Sequence, residues 1–271
     1  MRFRLIALDL DGTLMDETRV IPPRTRRAVQ AAMEEGCLVT IATGRAFVSA
    51  AHFARELSVN APLICYQGAL IRDYRDGNTV HVSTVPVPLA REVAAFSQER
   101  NLNVQVYLDD DRAYAAEMNP TIAQMSSVSG VPVTAVGSLS EWLSRPPVKF
   151  LFVEHEETIL DLVRDLRAQF NGQLQVVRSW DRLVEVTGPQ VSKGDALARL
   201  AAYLAVPQSA TLAIGDQDND VSMISWAGLG VAMGDASPSA KSAADVLAPS
   251  LAAQGAAWAI EHYVLEGRSL A

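Results

Sequence analysis

The chain has 271 residues, of which 49% are hydrophobic and 20% are charged. This composition is typical of a globular protein with a sizeable core and excludes an intrinsically disordered chain. The formal net charge of −8 argues against a surface for nucleic acid or anionic membrane, because both require clustered basic residues. No apolar stretch of the sequence approaches the ~20 residues that a membrane-spanning helix needs.

The two cysteines, Cys37 and Cys65, each lie in an apolar stretch. This placement indicates reduced core residues rather than a disulfide framework. The N-terminal sequence has a short positive start that meets aspartates within a few residues, so it lacks the pattern of a secretory signal. We therefore expect a cytoplasmic protein, a monomer or weak homodimer, with no nucleic-acid and no membrane partner.

The first third of the chain alternates predicted strands and helices. Short continuous apolar runs predict buried strands, and apolar residues at helical spacing predict the helices between them. In chain order the predicted elements are a strand at 3–10, a helix at 22–36, a strand at 37–45, a helix at 46–58, a strand at 61–70 and a hairpin at 71–83. Such alternation predicts a parallel sheet with helices on its faces.

The middle of the chain has a different pattern, with hairpins beside helices. Its predicted elements are a helix at 85–101, a hairpin at 102–116, a strand and then a helix at 148–170, and two strands at 174–188. This mixture indicates an α+β module rather than a continuation of the parallel sheet.

The first pattern returns after residue 188. The predicted elements are a helix at 192–206, a strand at 210–216, a helix at 219–228, a strand at 229–234, a helix at 235–244 with Ser237 as its N-cap, and a strand at 245–250. The fold class is therefore predicted as α/β. Residues 1–83 and 188–271 form a Rossmann-like parallel-sheet core, and residues 84–187 form an inserted α+β domain.

Acidic and polar residues follow the predicted core strands. They are Asp9 and Asp11, then Thr43-Gly44-Arg45, then Gln67, and finally the stretch 215–220, "GDQDND". Because ligands bind outside the carboxyl ends of parallel strands, we expect these side chains to converge on one edge of the sheet. Clustered carboxylates repel unless a cation neutralises them, and an all-oxygen ligand set is typical of a hard ion such as Mg²⁺. For Asp216 or Asn219 alone, capping of the following helix is an equal alternative.

Four motifs carry a family resemblance. "DLDGTL" at 9–14, "TGR" at 43–45, "SKGDAL" at 192–197 and "GDQDND" at 215–220 resemble, in order and spacing, the motifs of the haloacid dehalogenase superfamily. More closely, they are similar to those of its Cof-type phosphatases, whose class IIB α+β cap lies between the second and third motifs. The resemblance implies that residues 84–187 are a cap that determines substrate specificity.

The resemblance also implies a reaction and its residues. The reaction is Mg²⁺-dependent hydrolysis of phosphate monoesters of small metabolites, such as sugar phosphates, through an aspartyl-phosphate intermediate. Asp9 is expected to be the nucleophile, and Asp11 the general acid and base. The metal ligands are expected to be Asp9, the backbone carbonyl of Asp11, and Asp216, with Asp220 in the outer shell.

Phosphate binding is expected from Leu10, Thr43, Gly44, Lys193 and Asn219, and substrate contact from Arg45 and Gln67. The alternative for Lys193 is a solvated lysine in the first turn of a helix, where a positive charge is unfavourable. The alternative for Arg45 is to cap and solvate the helix that follows it.

The chain departs from the family pattern at two positions. Gln67 stands where relatives commonly have Asn, and Gln217 stands where Gly is frequent. Two other functions fit the same residues. A phosphomutase would return the phosphoryl group to its substrate, and a non-catalytic sensor would bind a phosphorylated metabolite without turnover.

Overall fold

The structure, a computed structural model, describes residues 3–267. Two compact units are distinguished by their internal contacts. The first unit contains the residues up to Gly44, Ala50–Val80 and the residues from Ser192 onward, and the second contains Arg45–Ser49 and His81–Val191. The first boundary lies three residues before the predicted 83/84, and the second lies four residues after the predicted 187/188. Residues 45–49, predicted to belong to the core, group with the second unit. The assignment of the units as a catalytic core and a cap stays a prediction.

The strands are β1 (Leu5–Leu8), β2 (Leu38–Ile41), β3 (Leu63–Cys65), β4 (Leu70–Arg72), β5 (Thr79–Val82), β6 (Val104–Tyr107), β7 (Ala113–Ala115), β8 (Val133–Ala135), β9 (Lys149–Val153), β10 (Gln175–Trp180), β11 (Leu183–Thr187), β12 (Thr211–Gly215), β13 (Leu229–Ala232) and β14 (Val246–Leu247). The α-helices are α1 (Pro23–Glu34), α2 (Phe47–Leu57), α3 (Val87–Glu99), α4 (Pro120–Ser129), α5 (Leu139–Trp142), α6 (Glu156–Gln169), α7 (Lys193–Tyr203), α8 (Val221–Trp226), α9 (Pro238–Ala243) and α10 (Gly255–Ile260). Within the described residues, no helix is long and apolar enough to cross a bilayer.

The first unit contains a parallel five-stranded sheet. Its strand order is β14-β13-β12-β1-β2, and β1 pairs in parallel with β12 on one side and β2 on the other. All four residues of β1 are buried, as expected for a strand covered on both faces. The predicted parallel-sheet core is confirmed, and β1 lies inside it rather than at an edge.

The strand predicted over 61–70 is wrong in its extent. Leu63–Cys65 is extended, the chain then turns at Tyr66–Gly68, and it returns from Leu70 as β4, antiparallel to β3. Tyr66, Gln67 and Gly68 have φ values of +52°, +60° and +105°, and this left-handed conformation ends the extended strand. β3 still lies beside β2, because the Thr43 N–H donates to the Ile64 carbonyl at 2.9 Å.

The second unit is built on a six-stranded sheet with the order β10-β11-β9-β6-β7-β8. Its pairs are antiparallel except β7 with β8. Every second residue along these strands points to the same face of the sheet. On one face, side chains such as Val106 and Phe150 form a single apolar core with side chains of α3 and α6. On the other face Lys149 and Glu185 form a buried ion pair with an N–O distance of 2.8 Å. The predicted α+β character of this segment is confirmed.

Some elements have no counterpart in the prediction, namely α4, α5, β8 and α10. In α4 the only buried residue is Ile122, so no apolar stripe appears in its sequence. Its end signals are nevertheless present. The Asn119 side chain accepts the N–H of Ile122, and Gly130 ends the helix with a left-handed φ of +70°.

Candidate active site

Asp9 stands directly after β1 at the carboxyl end of the parallel sheet. Its N–H donates to the carbonyl of Ile214 at 3.0 Å, which extends the pairing of β1 with β12 by one residue. The Asp9 side chain is 7% exposed, and its Oδ1 atom lies 2.6 Å from Nζ of Lys193. A carboxyl group is thus held in the interior of the first unit by an ammonium group 184 positions further along the chain.

Lys193 begins α7, whose N-cap Ser192 accepts the N–H of Asp195. The same Nζ atom lies 2.6 Å from Oδ1 of Asp220, and the lysine side chain is 1% exposed. Lys193 is therefore not a solvated surface residue. Burial alone would lower its pKa, but the charges of Asp220 and Asp9 outweigh that effect and raise the pKa, so the ammonium stays protonated.

Asp216 and Asp220 follow β12 and are held by different donors. Oδ1 of Asp216 accepts the Thr13 hydroxyl at 2.8 Å, and Oδ2 accepts Nε2 of Gln217 at 2.9 Å. Oδ2 of Asp220 accepts the backbone N–H groups of Asp216 and Gln217 at 2.9 and 3.0 Å. Asp220 thereby closes the loop that carries Asp216, and its second oxygen contacts Lys193.

Gly12 lets the loop after β1 approach Asp216 closely. Its φ is +89°, and a Cβ atom there would lie 2.6 Å from Cγ of Asp216 and nearer still to Oδ2. A side chain at this position would thus be strained in backbone conformation and would overlap the carboxylate. The positive φ and the close packing against Asp216 are two separate reasons for glycine at this position.

The site carries more negative than positive charge. Burial is the main cause that raises the pKa of Asp9 well above its ordinary value, and the charges of Asp220, Asp216 and Asp11 add to it against the opposing effect of Lys193. Burial and the charge of Asp220 likewise raise the pKa of Asp216 to about 6. One carboxylate oxygen each from Asp9, Asp216 and Asp220 lies within 4.8 Å of the others. Buried, oxygen-only donors with unrelieved repulsion fit a hard divalent cation.

Leu10 and Asp11 lie in the loop after β1, where Asp11 forms an isolated bridge with Met15. β1 ends at Leu8, so the strand predicted over 3–10 is too long at its carboxyl end, and Asp9 and Asp11 both lie beyond it. The carbonyl of Leu10 accepts the N–H groups of Leu14 and Met15 at 2.9 and 3.0 Å. Asp11 is only partly buried, and its charge acts on Asp9.

Thr43, Gln67 and Asn219 come together after β2, β3 and β12. Thr43 is 1% exposed, and its carbonyl accepts the N–H of Gln67 at 3.1 Å. Nδ2 of Asn219 donates to Oε1 of Gln67 at 3.0 Å. Of the residues predicted to bind phosphate or substrate, the structure therefore connects these three in one chain of contacts.

Gly44 and Arg45 complete the second motif. Arg45 precedes α2, and its Nη1 donates to Oγ of Ser49 at 3.4 Å, a contact along the start of that helix. Gly44 ends one segment of the first unit, whereas Arg45 groups with the second. Both roles considered for Arg45 stay predictions.

Two residues that donate to the Asp216 carboxylate, Thr13 and Gln217, were not predicted from the sequence to do so. Thr13 lies inside the "DLDGTL" motif, but the motif does not indicate which acid its hydroxyl meets. Gln217 is noted in the sequence only as a departure from glycine. In the structure it is the N-cap of the 3₁₀ turn Asp218–Asp220 and forms a capping box with Asp220. The N-cap positions here belong to Gln217 and Asp220 rather than to Asp216 or Asn219.

Known proteins resemble this chain over most of its length. The family profile for haloacid dehalogenase-like hydrolases matches residues 6–260. The 5-amino-6-(5-phospho-D-ribitylamino)uracil phosphatase of Bacillus subtilis is 28% identical over 236 residues, covering 85% of this chain and 86% of that protein. The pyridoxal phosphate phosphatase of Escherichia coli is 28% identical over 254 residues, covering 91% and 93%. The crystal structure of a haloacid dehalogenase-like hydrolase from Bacteroides thetaiotaomicron has a TM-score of 0.86 at 25% identity, covering 96% of this chain and 98% of that one.

Proposed function

Because this chain belongs to the haloacid dehalogenase-like hydrolases, we propose that it is a Mg²⁺-dependent phosphatase that hydrolyses phosphate monoesters of small metabolites through an aspartyl-phosphate on Asp9. The family expected from the four motifs is confirmed. The observation that carries the proposal is the contact of the buried Lys193 ammonium with both Asp9 and Asp220, 2.6 Å from each. This arrangement holds the Asp9 side chain in place at the end of the central sheet.

In the first step, a carboxylate oxygen of Asp9 attacks the phosphorus atom and the bond to the leaving oxygen breaks. Asp11 gives its proton to that oxygen, so the leaving group departs as a neutral alcohol. Lys193 opposes the rise in the Asp9 pKa that burial causes and orients the carboxyl group. Its charge also balances part of the negative charge that develops on the phosphoryl oxygens.

In the second step, water attacks the aspartyl-phosphate. Asp11, now a carboxylate, accepts the proton of that water, and inorganic phosphate leaves while Asp9 returns to its starting form. One group serves both steps, and the partial exposure of Asp11 supports this role because a proton can reach it from solvent.

Mg²⁺ would be held by Asp9, Asp216 and the backbone carbonyl of Asp11, with Asp220 bracing the loop of Asp216. When bound, the ion supplies positive charge that offsets repulsion between the anionic nucleophile and the anionic substrate. Thr13 and Gln217 orient the Asp216 carboxylate through its two oxygens. Leu10, Thr43, Gly44, Lys193 and Asn219 are the groups we assign to the phosphate.

The substrate is proposed only by class. The two relatives above are named for phosphate monoesters of small ring-containing metabolites, which supports a substrate of similar size, and sugar phosphates belong to that class. We assign the choice of leaving group to residues 84–187. No observation favours the phosphomutase or the sensor over hydrolysis.

The experiment is a phosphate-release assay over a panel of metabolite phosphates, with Mg²⁺ and with EDTA. We expect release that requires Mg²⁺ and that Asp9→Asn abolishes. Asp76→Asn, at the exposed tip of the hairpin between β4 and β5, is the matched control and should behave as the wild type. Equal release by Asp9→Asn, or in EDTA, contradicts the mechanism. Phosphoryl transfer between substrates without free phosphate indicates a mutase, and binding without turnover indicates a sensor.

A further inference from the structure

Gln67 has a backbone conformation that glutamine rarely adopts. With Tyr66 and Gly68 it forms three successive left-handed residues, and its own φ is +60°. An L-residue other than Gly, Asn or Asp in this region is disfavoured by about 1–2 kcal/mol. Such strain persists only where the surroundings impose it, and it is common at functional sites.

The surroundings of this turn are tightly packed. A Cβ atom at Gly68 would lie 2.7 Å from the carbonyl carbon of Ser192, so the turn lies against the residue that precedes Lys193. The N–H of Gln67 donates to the carbonyl of Thr43 at 3.1 Å. The backbone of Gln67 is therefore held between the second and third motifs.

The side chain of Gln67 reaches the fourth motif. The residue is 4% exposed, and its Oε1 accepts Nδ2 of Asn219 at 3.0 Å, across 152 positions of sequence. Asn219 lies in the turn Asp218–Asp220, next to the carboxylate that contacts Lys193. Gln67 thus links the side-chain amide of Asn219 to the backbone of Thr43.

We propose that Gln67 is a positioning residue that sets the plane of the Asn219 amide. A primary amide is planar and has two N–H donors. When Gln67 accepts one of them, the direction of the other is determined, and it donates to a phosphoryl oxygen. Without the acceptor, the terminal torsion of Asn219 is broad and its donor is not aimed. This inference rests on the proposed function, in which Asn219 contacts the phosphate.

Gln67→Asn separates this role from a structural one. Asparagine tolerates the left-handed conformation, but its side chain is shorter by about 1.5 Å, so the contact with Asn219 exceeds hydrogen-bond distance. Gln254→Asn is the matched control, because Gln254 has a similar φ of +58° in the same unit, at the N-cap of α10. Gln67→Met is a second variant that keeps the length and removes the acceptor.

We expect both asparagine variants to be at least as stable as the wild type to thermal unfolding. Gln67→Asn and Gln67→Met should raise KM about 3- to 10-fold, the worth of one oriented hydrogen bond, whereas Gln254→Asn leaves KM unchanged. KM of the double variant Gln67→Asn/Asn219→Ala should equal KM of Asn219→Ala alone. An unchanged KM in Gln67→Asn would overturn the proposal. So would a double variant whose fold-change in KM equals the product of the two single fold-changes.

A spectroscopic measurement keeps the inference apart from the phosphatase assignment. The ¹⁵N side-chain amide resonances of Asn219, identified by their loss in Asn219→Ala, should shift in Gln67→Asn but not in Gln254→Asn. Titration with inorganic phosphate should then move them in the wild type and less in Gln67→Asn. If the wild type hydrolyses nothing yet these shifts occur, the proposed function fails and the positioning role stands. Amide resonances that are the same in Gln67→Asn and the wild type overturn the inference.

Discussion

Nζ of Lys193 and Oδ1 of Asp9 lie 2.6 Å apart although 184 positions of sequence separate the two residues. Both side chains are almost fully buried, and the second contact of Nζ, with Asp220, makes the lysine the common partner of two acids. A buried charge of this kind is tolerated only when it is paired.

Lys193→Met is expected to reduce kcat at least about 100-fold, because the developing negative charge loses its partner. It should also lower the free energy of unfolding by about 3–5 kcal/mol, since removing one member of a buried ion pair leaves the others uncompensated. Lys241→Met, near the end of α9, is the control and should change stability by less than about 0.5 kcal/mol. Urea unfolding and steady-state kinetics measure both effects, and a Lys193→Met enzyme with normal kcat would refute the assigned role.

Gly12→Ala should weaken metal activation more than it weakens the fold. The new methyl group meets the Asp216 carboxylate, whereas Gly77 has a similar φ of +77° and open space around it. We expect Gly77→Ala to cost about 1–2 kcal/mol of stability from backbone strain alone, with normal Mg²⁺ dependence. For Gly12→Ala, the Mg²⁺ concentration at half-maximal activity should rise at least about 10-fold. The same Mg²⁺ dependence in both variants would show that the close approach to Asp216 has no effect on the metal.

Thr13→Val is expected to lower the affinity for Mg²⁺ by about 10- to 100-fold, the usual effect of losing a hydrogen bond that orients a metal ligand. The methyl group replaces the hydroxyl that donates to Oδ1 of Asp216 at 2.8 Å. Thr13→Ser retains the hydroxyl and should restore most of the affinity. Isothermal titration with Mg²⁺ measures this directly, and equal affinities of the Val and Ser variants would exclude the role of the hydroxyl.

Asp216→Asn should make the metal-free protein more stable at neutral pH. Burial and the charge of Asp220 raise the pKa of Asp216 to about 6, so the folded state binds a proton more tightly than the unfolded state does. The protonated acid therefore favours folding below the unfolded pKa, and this contribution is lost as the pH rises through about 6. A difference of two pKa units corresponds to up to about 3 kcal/mol.

The measurement is urea unfolding in EDTA at pH 7.5 and pH 5, with the wild type and Asp216→Asn side by side. The advantage of the variant should shrink at the lower pH, where the wild-type carboxyl takes up its proton. Saturating Mg²⁺ should reverse the order at pH 7.5, because the ion binds the wild type and stabilises it. A variant less stable than the wild type in EDTA at pH 7.5 would contradict the assigned repulsion.

The sequence by itself determined the α/β class, the α+β character of the middle segment and the family. These follow from local patterns, since buried parallel strands are continuous apolar runs and the four motifs are short and contiguous. Prediction from local patterns was wrong or incomplete where a segment has no such pattern. The helix α4 buries one residue, and the strand predicted over 61–70 is interrupted by three left-handed residues whose conformation is imposed by packing against Thr43 and Ser192.

Only the tertiary structure decided which acid meets which donor. The motifs indicate that Asp9, Asp216 and Asp220 belong to one site, but not that Lys193 joins Asp9 to Asp220, nor that Thr13 orients Asp216. These contacts span up to 203 positions of sequence. They depend on the packing of strands and loops to within a fraction of an ångström, as at Gly12. The local spacing of residues in the sequence does not indicate how distant segments pack. The contact between Gln67 and Asn219 is of the same kind, because it requires an unfavourable backbone conformation that only the folded surroundings impose.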